Sequence, residues 1–244
     1  VGQSGASSLH ILFPTDEEAG WLQDAGLEVR HGVQFHWHNA GYRDFDDFLS
    51  RLAQPKRKKI RQERRKVLDA GVSFRILRGA EIGEVEWTFF HACYSRTYAE
   101  HRSTPYLSRE FFVEYGHRAG NATVLMIAER AGTPVAASFF LRDADALYGR
   151  YWGAADFIPC LHFEACYYQA IDYAIREGVS RFEGGAQGEH KLSRGLEPVR
   201  TRSAPWIADP RLRDAVARFL AQERGGVEAY LDELSERLPF RTGD

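Results

Sequence analysis

The chain has 244 residues, 44% hydrophobic and 13% aromatic, enough for a packed core in one large or two small domains. Its formal net charge of −2 gives no global signal for nucleic acid, and no DNA partner is expected. Three cysteines without CxxC spacing argue against a disulfide scaffold or a zinc site, and fit a reducing, cytoplasmic setting. No run approaches membrane-spanning length and no signal peptide is visible. The first residue is Val1 rather than Met, so the start is expected to be processed or missing.

Residues 1–8 read as a loose arm. Leu9–Phe13 reads as a buried strand ended by Pro14, and Thr15 or Asp16 caps a short helix that stops at Gly26. Residues 27–37 read as one or two strands. Within them His36 and His38 share one strand face, with Phe35 and Trp37 on the other. No carboxylate or thiol lies at ligand spacing, so this histidine pair is read as a polar pocket lining or a hydrogen-bonded strand end, and no metal is expected.

Asp44 or Asp46 caps the next helix, whose Phe45, Phe48, Leu49 and Leu52 share a face. Pro55 suits the first turn of another. Residues 56–66 contain eight bases and one acid. Lys56, Arg57, Lys58, Lys59 and Arg61 are therefore candidates to hold phosphates of a nucleotide, a lipid headgroup or tRNA. The competing reading is a solvated face, with Ile60, Val67 and Leu68 as the core stripe. Residues 72–77 alternate as a strand, and 81–99 read as a helix burying Ile82, Val85, Phe89, Ala92 and Cys93. Ser108 caps a helix with Phe111, Phe112 and Tyr115 to bury. A three-strand meander follows over 123–128, 134–141 and 146–153, then an aromatic helix over 161–176 stopped by Gly178. Residues 199–207 read as a last strand. Residues 210–238 read as one or two amphipathic helices, broken at Gly225-Gly226.

The densest chemistry follows the short strand Val179–Phe182. Glu183 to Gly195 packs two acids, one imidazole, one ammonium, one guanidinium and four glycines into thirteen residues. Glycines let a loop turn and aim groups at one point. Glu189, His190 and Lys191 offer a carboxylate, a group titrating near neutrality and a fixed cation. Glu189 or His190 is a candidate base, and Lys191 or Arg194 a candidate holder of an anionic substrate group. Glu183 and Gln187 are candidate substrate contacts. His162 and Glu164, on the aromatic helix, form an alternative acid/base pair. A structural reading of Glu164, as a helix carboxylate paired with an arginine, stands beside it.

The element order is α+β and not doubly wound. Over residues 72–207 it resembles the acetyltransferase fold of the GNAT superfamily. That implies a mixed central sheet flanked by helices, with the aromatic helix facing the acyl donor. Gln34-Phe35-His36-Trp37, Lys56 to Arg61, Tyr148 to Gly153, His162-Phe163-Glu164 and Gly185 to Lys191 with Arg194-Gly195 sharpen it. Together they resemble the bacterial FemAB-like family of peptidoglycan biosynthesis or recognition proteins. The resemblance implies three segments: residues 1–55 as the tail of a first GNAT-like domain with a linking helix, 56–209 as a GNAT-like domain, and 210–244 as helices packed on it. It also implies an acyl- or aminoacyltransferase acting on an amine of a peptidoglycan precursor or a related small molecule. The donor would be acyl-CoA, such as acetyl-CoA, or aminoacyl-tRNA, with tRNA on the basic run. Three departures stand out: a short N-terminal side, Pro205 where a histidine is expected, and Ala154–Cys160. Where GNAT enzymes carry a basic, glycine-rich pyrophosphate turn, this last segment has no glycine and carries an acid. It argues against acetyl-CoA as donor and favours the first of two alternatives to the transferase reading. One is a non-catalytic module binding cell-wall fragments or nucleotides on a degenerate GNAT fold. The other, more remote, is a CoA-dependent small-molecule N-acetyltransferase.

Overall fold

The computed structural model describes residues 5–185 and 188–241. In chain order the elements are β1 (Ser8–Leu12), α1 (Asp16–Asp24), β2 (Arg30–His38), α2 (Phe45–Arg51), α3 (Gln54–Asp69), β3 (Val72–Arg78), α4 (Glu84–Glu100) and α5 (Arg109–Ala119). There follow β4 (Thr123–Arg130), β5 (Thr133–Arg142), β6 (Ala146–Ala154), α6 (Leu161–Phe163), α7 (Gln169–Arg176), β7 (Arg181–Glu183), β8 (Glu197–Ile207) and α8 (Pro210–Glu236). A π-helical turn, Glu164–Tyr168, joins α6 to α7, and a 3-10 helix, Glu189–Arg194, precedes β8. The chain divides into two compact units: residues 1–35 with 186–188 and 197–238, and residues 36–185 with 189–196 and 239–244. Among the described residues no helix is long and apolar enough to cross a membrane.

In the first unit β1 lies antiparallel to β8, from Ser8 opposite Ile207 to Leu12 opposite Ser203. Thr15 and Glu18 form a reciprocal capping box that starts α1. Helix α8 runs unbroken through Gly225 and Gly226, where the sequence predicts a break. Tertiary anchors on both sides of the glycines explain this. Arg30 is bidentate to Glu223 at 2.8 and 2.6 Å, and both His31 and Arg200 meet Glu228. These contacts, with Leu220 and Leu234 buried, outweigh the roughly 1 kcal/mol that each helical glycine costs.

In the second unit the strands run in the order β2 (its residues 36–38), β7, β6, β5, β4, β3. All pairs are antiparallel except β6 with β7. One apolar cluster joins Leu77, Trp87, Phe90, Tyr94, Phe112 and Phe139 from α4, α5 and the sheet. Another joins Val67, Val72, Ala136, Ile158 and Leu161 from α3, α6 and the sheet. The phase of α4 differs from the expected one: Val85 is 79% exposed, whereas Trp87, Phe90, Cys93 and Tyr94 are buried. Three aromatic rings remove more area from water than one valine, so they set which face turns inward. Leu68 and Phe111 are likewise exposed, while Phe112 takes the core position. The predicted caps hold at Thr15, Asp44 and Ser108.

Two glycines give opposite expectations. At Gly153 an added Cβ would sit 2.1 Å from the Cys93 carbonyl oxygen, a backbone atom of α4 that cannot swing away. Gly153→Ala should destabilise the protein by at least about 1–3 kcal/mol. At Gly225 nothing lies within 4 Å, so Gly225→Ala should stabilise it by about 1 kcal/mol. Urea denaturation of both variants checks the pair of signs.

Candidate active site

Strands β6 and β7 pair only at Ala146–Arg181, Leu147–Phe182 and Tyr148–Glu183. Beyond Tyr148 they part. The register between β5 and β6 also shifts there, with Phe139 opposite Tyr151 and Phe140 opposite Gly149. The extra residue, Arg150, increases the local twist and helps turn the strand away. A cavity of about 150 Å³ fills the split, lined by Gly149, Arg150, His162, Cys166, Tyr167 and Gly184 among others. It is small, but one wall is a strand edge beyond its pairing and the other is the aromatic helix. At Gly149 the chains come close: a Cβ there would lie 3.3 Å from the Glu183 carbonyl oxygen, a tight contact.

The glycine-rich loop returns to this cleft through its 3-10 helix. Lys191 is buried and its Nζ donates to the Gly185 carbonyl at 3.2 Å. Burial pushes its ammonium down to about 8, so an appreciable fraction is neutral near physiological pH. The His162 ring packs 5.2 Å from Trp152 and 5.7 Å from Tyr167, centroid to centroid. Burial, with His190, Arg194 and Lys191 adding positive potential, lowers His162 to about 4. His190 lies at 3.3 Å from the Tyr167 hydroxyl and is also lowered, first by burial and then by Arg194 and Lys191. Lys59 of the basic helix contributes to that lowering, which brings this part of α3 within electrostatic reach of the loop. The Cys166 and Tyr167 side chains are pushed up by burial and stay protonated.

Arg194 does not face solvent. Its Nη2 donates to both Glu63 carboxylate oxygens at 3.1 and 3.0 Å, its Nη1 donates to the His190 carbonyl at 2.7 Å, and the guanidinium lies 3.6 Å above the Phe163 ring. The Tyr168 hydroxyl donates to the same Glu63 carboxylate. Glu63 is the partner that the sequence reading missed. A signal for it exists: Glu63 is the lone acid of the basic run and shares the face of Ile60 and Val67 at helical spacing. The π-helical turn has no comparable sequence signal.

The remaining predicted residues fall as follows. Glu189 is exposed on the 3-10 helix next to His190. His162 and Glu164 are separated, since residues two apart on a helix do not face each other. His162 lines the cleft. Glu164 instead meets Arg64 at 3.1 Å and Gln169 at 2.8 Å in another cavity, the arginine pairing that its structural reading anticipated. His36 is buried, 3.9 Å from Glu183, and falls to about 4 through burial and the nearby Arg181 and His38. Glu183 is held by Arg181 at 2.9 Å, and His38 is exposed on the same strand face as His36. Gln187 lies outside the described residues. On α3, Lys58 and Lys59 are exposed and Lys56 half-buried, whereas Arg57 reaches the Ser50 and Leu52 carbonyls and Arg61 meets Asp46 at 3.1 Å. Among the described residues no group of three His, Cys, Asp or Glu side chains could hold a metal ion.

A meander whose last strand splits from a parallel neighbour above a helix-lined cavity is the GNAT-like layout expected from the element order. The family model of FemAB-like proteins, described as peptidoglycan biosynthesis/recognition, matches residues 1–242, and the chain belongs to this family. The fold is similar to that of L-PGS from Bacillus licheniformis (TM-score 0.63, 11% identity, covering 90% of this chain and 74% of that one). It is also similar to FemX (TM-score 0.61, 10% identity, 88% and 76%). A third similar structure is the C-terminal domain assigned to a lysylphosphatidylglycerol synthetase from Agrobacterium fabrum (TM-score 0.58, 12% identity, 91% and 73%). No curated protein matches the sequence significantly.

Two outcomes test this geometry. His36 and His162 hold folded values of about 4 against 6.5 for a free imidazole, so between these limits the unfolded chain binds more protons. Stability therefore falls as pH drops from 6.5 toward 4. His162→Gln should flatten that loss in thermal melts relative to the parent. Separately, Glu63→Gln leaves Arg194 buried without its counter-charge and should cost about 3–5 kcal/mol in urea denaturation.

Proposed function

We propose that this protein is an aminoacyltransferase that moves an amino acid from aminoacyl-tRNA to an amine of a peptidoglycan precursor. The observation that carries the reading is the split between β6 and β7 with Lys191 buried behind it. Lys191 is close enough to His162 and Cys166, both cleft residues, to act on their charge balance. Family membership supports a role in peptidoglycan metabolism. The names of the structural relatives, FemX and lysylphosphatidylglycerol synthetase, are consistent with aminoacyl transfer.

In this reading the ester carbonyl of the donor enters the split, and the attacking amine approaches from the loop side. Attack forms a tetrahedral oxyanion, whose collapse breaks the ester bond and releases the tRNA hydroxyl. The Lys191 ammonium stabilises negative charge as it develops, and being buried it does so more strongly than a surface lysine. The His190 imidazole, lowered by burial and beside the Tyr167 hydroxyl, takes the proton that the amine sheds and passes it to the departing tRNA oxygen, with Glu189 beside it. Lys58 and Lys59 meet phosphates of the tRNA.

The turn before the aromatic helix favours this donor over acyl-CoA. Asp156 is spent on Arg130 at 2.8 Å, and Phe157 is 92% exposed where a pyrophosphate cradle would need backbone amides and glycines. A non-catalytic module remains the second reading, favoured by that same turn.

Transfer of a radiolabelled amino acid from aminoacyl-tRNA to a soluble UDP-linked precursor tests the proposal. Lys191→Ala should lower kcat by roughly 10²- to 10³-fold. Lys58→Glu with Lys59→Glu should weaken tRNA binding and reduce its salt slope by about 1 for each lost phosphate contact. Transfer from acetyl-CoA would overturn the choice of donor. Precursor binding without transfer from either donor would establish the recognition module.

A further inference from the structure

A second cavity, of about 590 Å³, lies between α2, α3, β3 and the π-helical turn. Its size falls in the range of about 300–1,000 Å³ typical of small-molecule sites. Its walls carry both signs of charge and an apolar surface. Arg61, Arg64 and Arg65 project from α3, the apolar side comes from Leu68 and Phe74, and Glu164 closes the back.

Glu164 is the telling residue. It is 97% buried by its 3% exposure, and its Oε1 accepts from both Arg64 and Gln169. Its Oε2 is buried with no hydrogen-bond partner. Buried carboxylate oxygens without partners are uncommon and call for an explanation. π-helical turns, such as the one that begins at Glu164, are frequent at functional sites. Burial raises the Glu164 carboxyl above its ordinary value in spite of Arg64, as expected of a carboxylate short of donors.

The cation side is also incompletely satisfied. Among the described residues Arg65 pairs with Asp69, at 3.9 Å, with both side chains mostly exposed, and the Arg61–Asp46 pair is solvent-facing. Such pairs hold little energy and exchange readily for a ligand anion. Leu68 is 64% exposed on the rim, apolar surface that a ligand side chain could cover.

We propose that this cavity binds a small zwitterion with an apolar side chain, of amino-acid or dipeptide kind. The Glu164 carboxylate, whose Oε2 is enclosed in the unliganded site, turns toward the cavity to meet the ligand ammonium, while the ligand carboxylate meets Arg61 and Arg65 and its side chain lies on Leu68 and Phe74. The site is separate from the transfer cleft and does not depend on the transfer reading.

The test is calorimetric titration of the whole chain with L-leucine, Leu-Leu, N-acetyl-L-leucine and leucinamide. Leu-Leu or leucine should bind at millimolar concentration or better. N-acetyl-L-leucine, without the ammonium, and leucinamide, without the carboxylate, should each bind more weakly by about 10- to 100-fold. Glu164→Gln keeps the side-chain shape and should weaken leucine or Leu-Leu by a similar factor. Arg65→Ala, on an exposed position, should do so without a folding cost. Equal binding of the blocked compounds, loss of binding with Lys191→Ala in the other cavity, or no heat from any of the four would each overturn the proposal.

Discussion

The buried pair of Glu63 and Arg194 is the constraint on which the rest of the second unit's chemistry depends. Arg194 is only 2% exposed, and its charge is compensated at both ends: the Glu63 carboxylate on one side and the Phe163 ring on the other. Through it three elements are fixed together: α3, the aromatic helix with its π-helical turn, and the 3-10 helix of the glycine-rich loop. Because a desolvated ion pair gains little net energy over an apolar contact, its value is positional. It holds His190 and Lys191 where they are, since Arg194 grips the His190 carbonyl from inside the same turn.

The cleft has a different origin. A parallel pair that matches for only three residues is a weak union, and β6 leaves it where glycine replaces a side chain. Gly149 allows the Glu183 carbonyl to approach, and Gly153 allows α4 to press its Cys93 carbonyl against the strand. Between these two close approaches the strand carries Arg150, Tyr151 and Trp152, and the register shift sits among them. The opening is therefore written into backbone packing and not into any catalytic side chain.

Much of this was legible in the sequence, for identifiable reasons. Caps at Thr15, Asp44 and Ser108 depend on contacts three residues away, and the meander depends on alternation and turns, so local reading found them. The glycine-rich loop was legible as a concentration of reactive groups. What escaped was non-local. The α8 glycines are overridden by Arg30–Glu223, a contact between residues 193 apart. The partner of Arg194 is 131 residues away, which is why Arg194 read as an anion holder when its charge is already compensated by Glu63. Glu164 was grouped with His162 by proximity in sequence, although residues two apart on a helix look in nearly opposite directions.

That opposition gives the aromatic helix two working faces. Toward the cleft it presents His162 and Cys166, both kept uncharged by burial. Toward the other cavity it presents Glu164, a carboxylate already tied to Arg64 and Gln169 through one oxygen. Among the described residues that line the cleft none is an acid, while Lys191, Arg194 and Lys59 each add positive potential at His190. Glu63, which opposes them at the same ring, is occupied by Arg194. A site with this balance favours substrates and transition states that carry negative charge, and it disfavours a protonated amine until that amine has shed its proton. In the proposed transfer, the His190 imidazole at the edge of the same field is the group that would take such a proton.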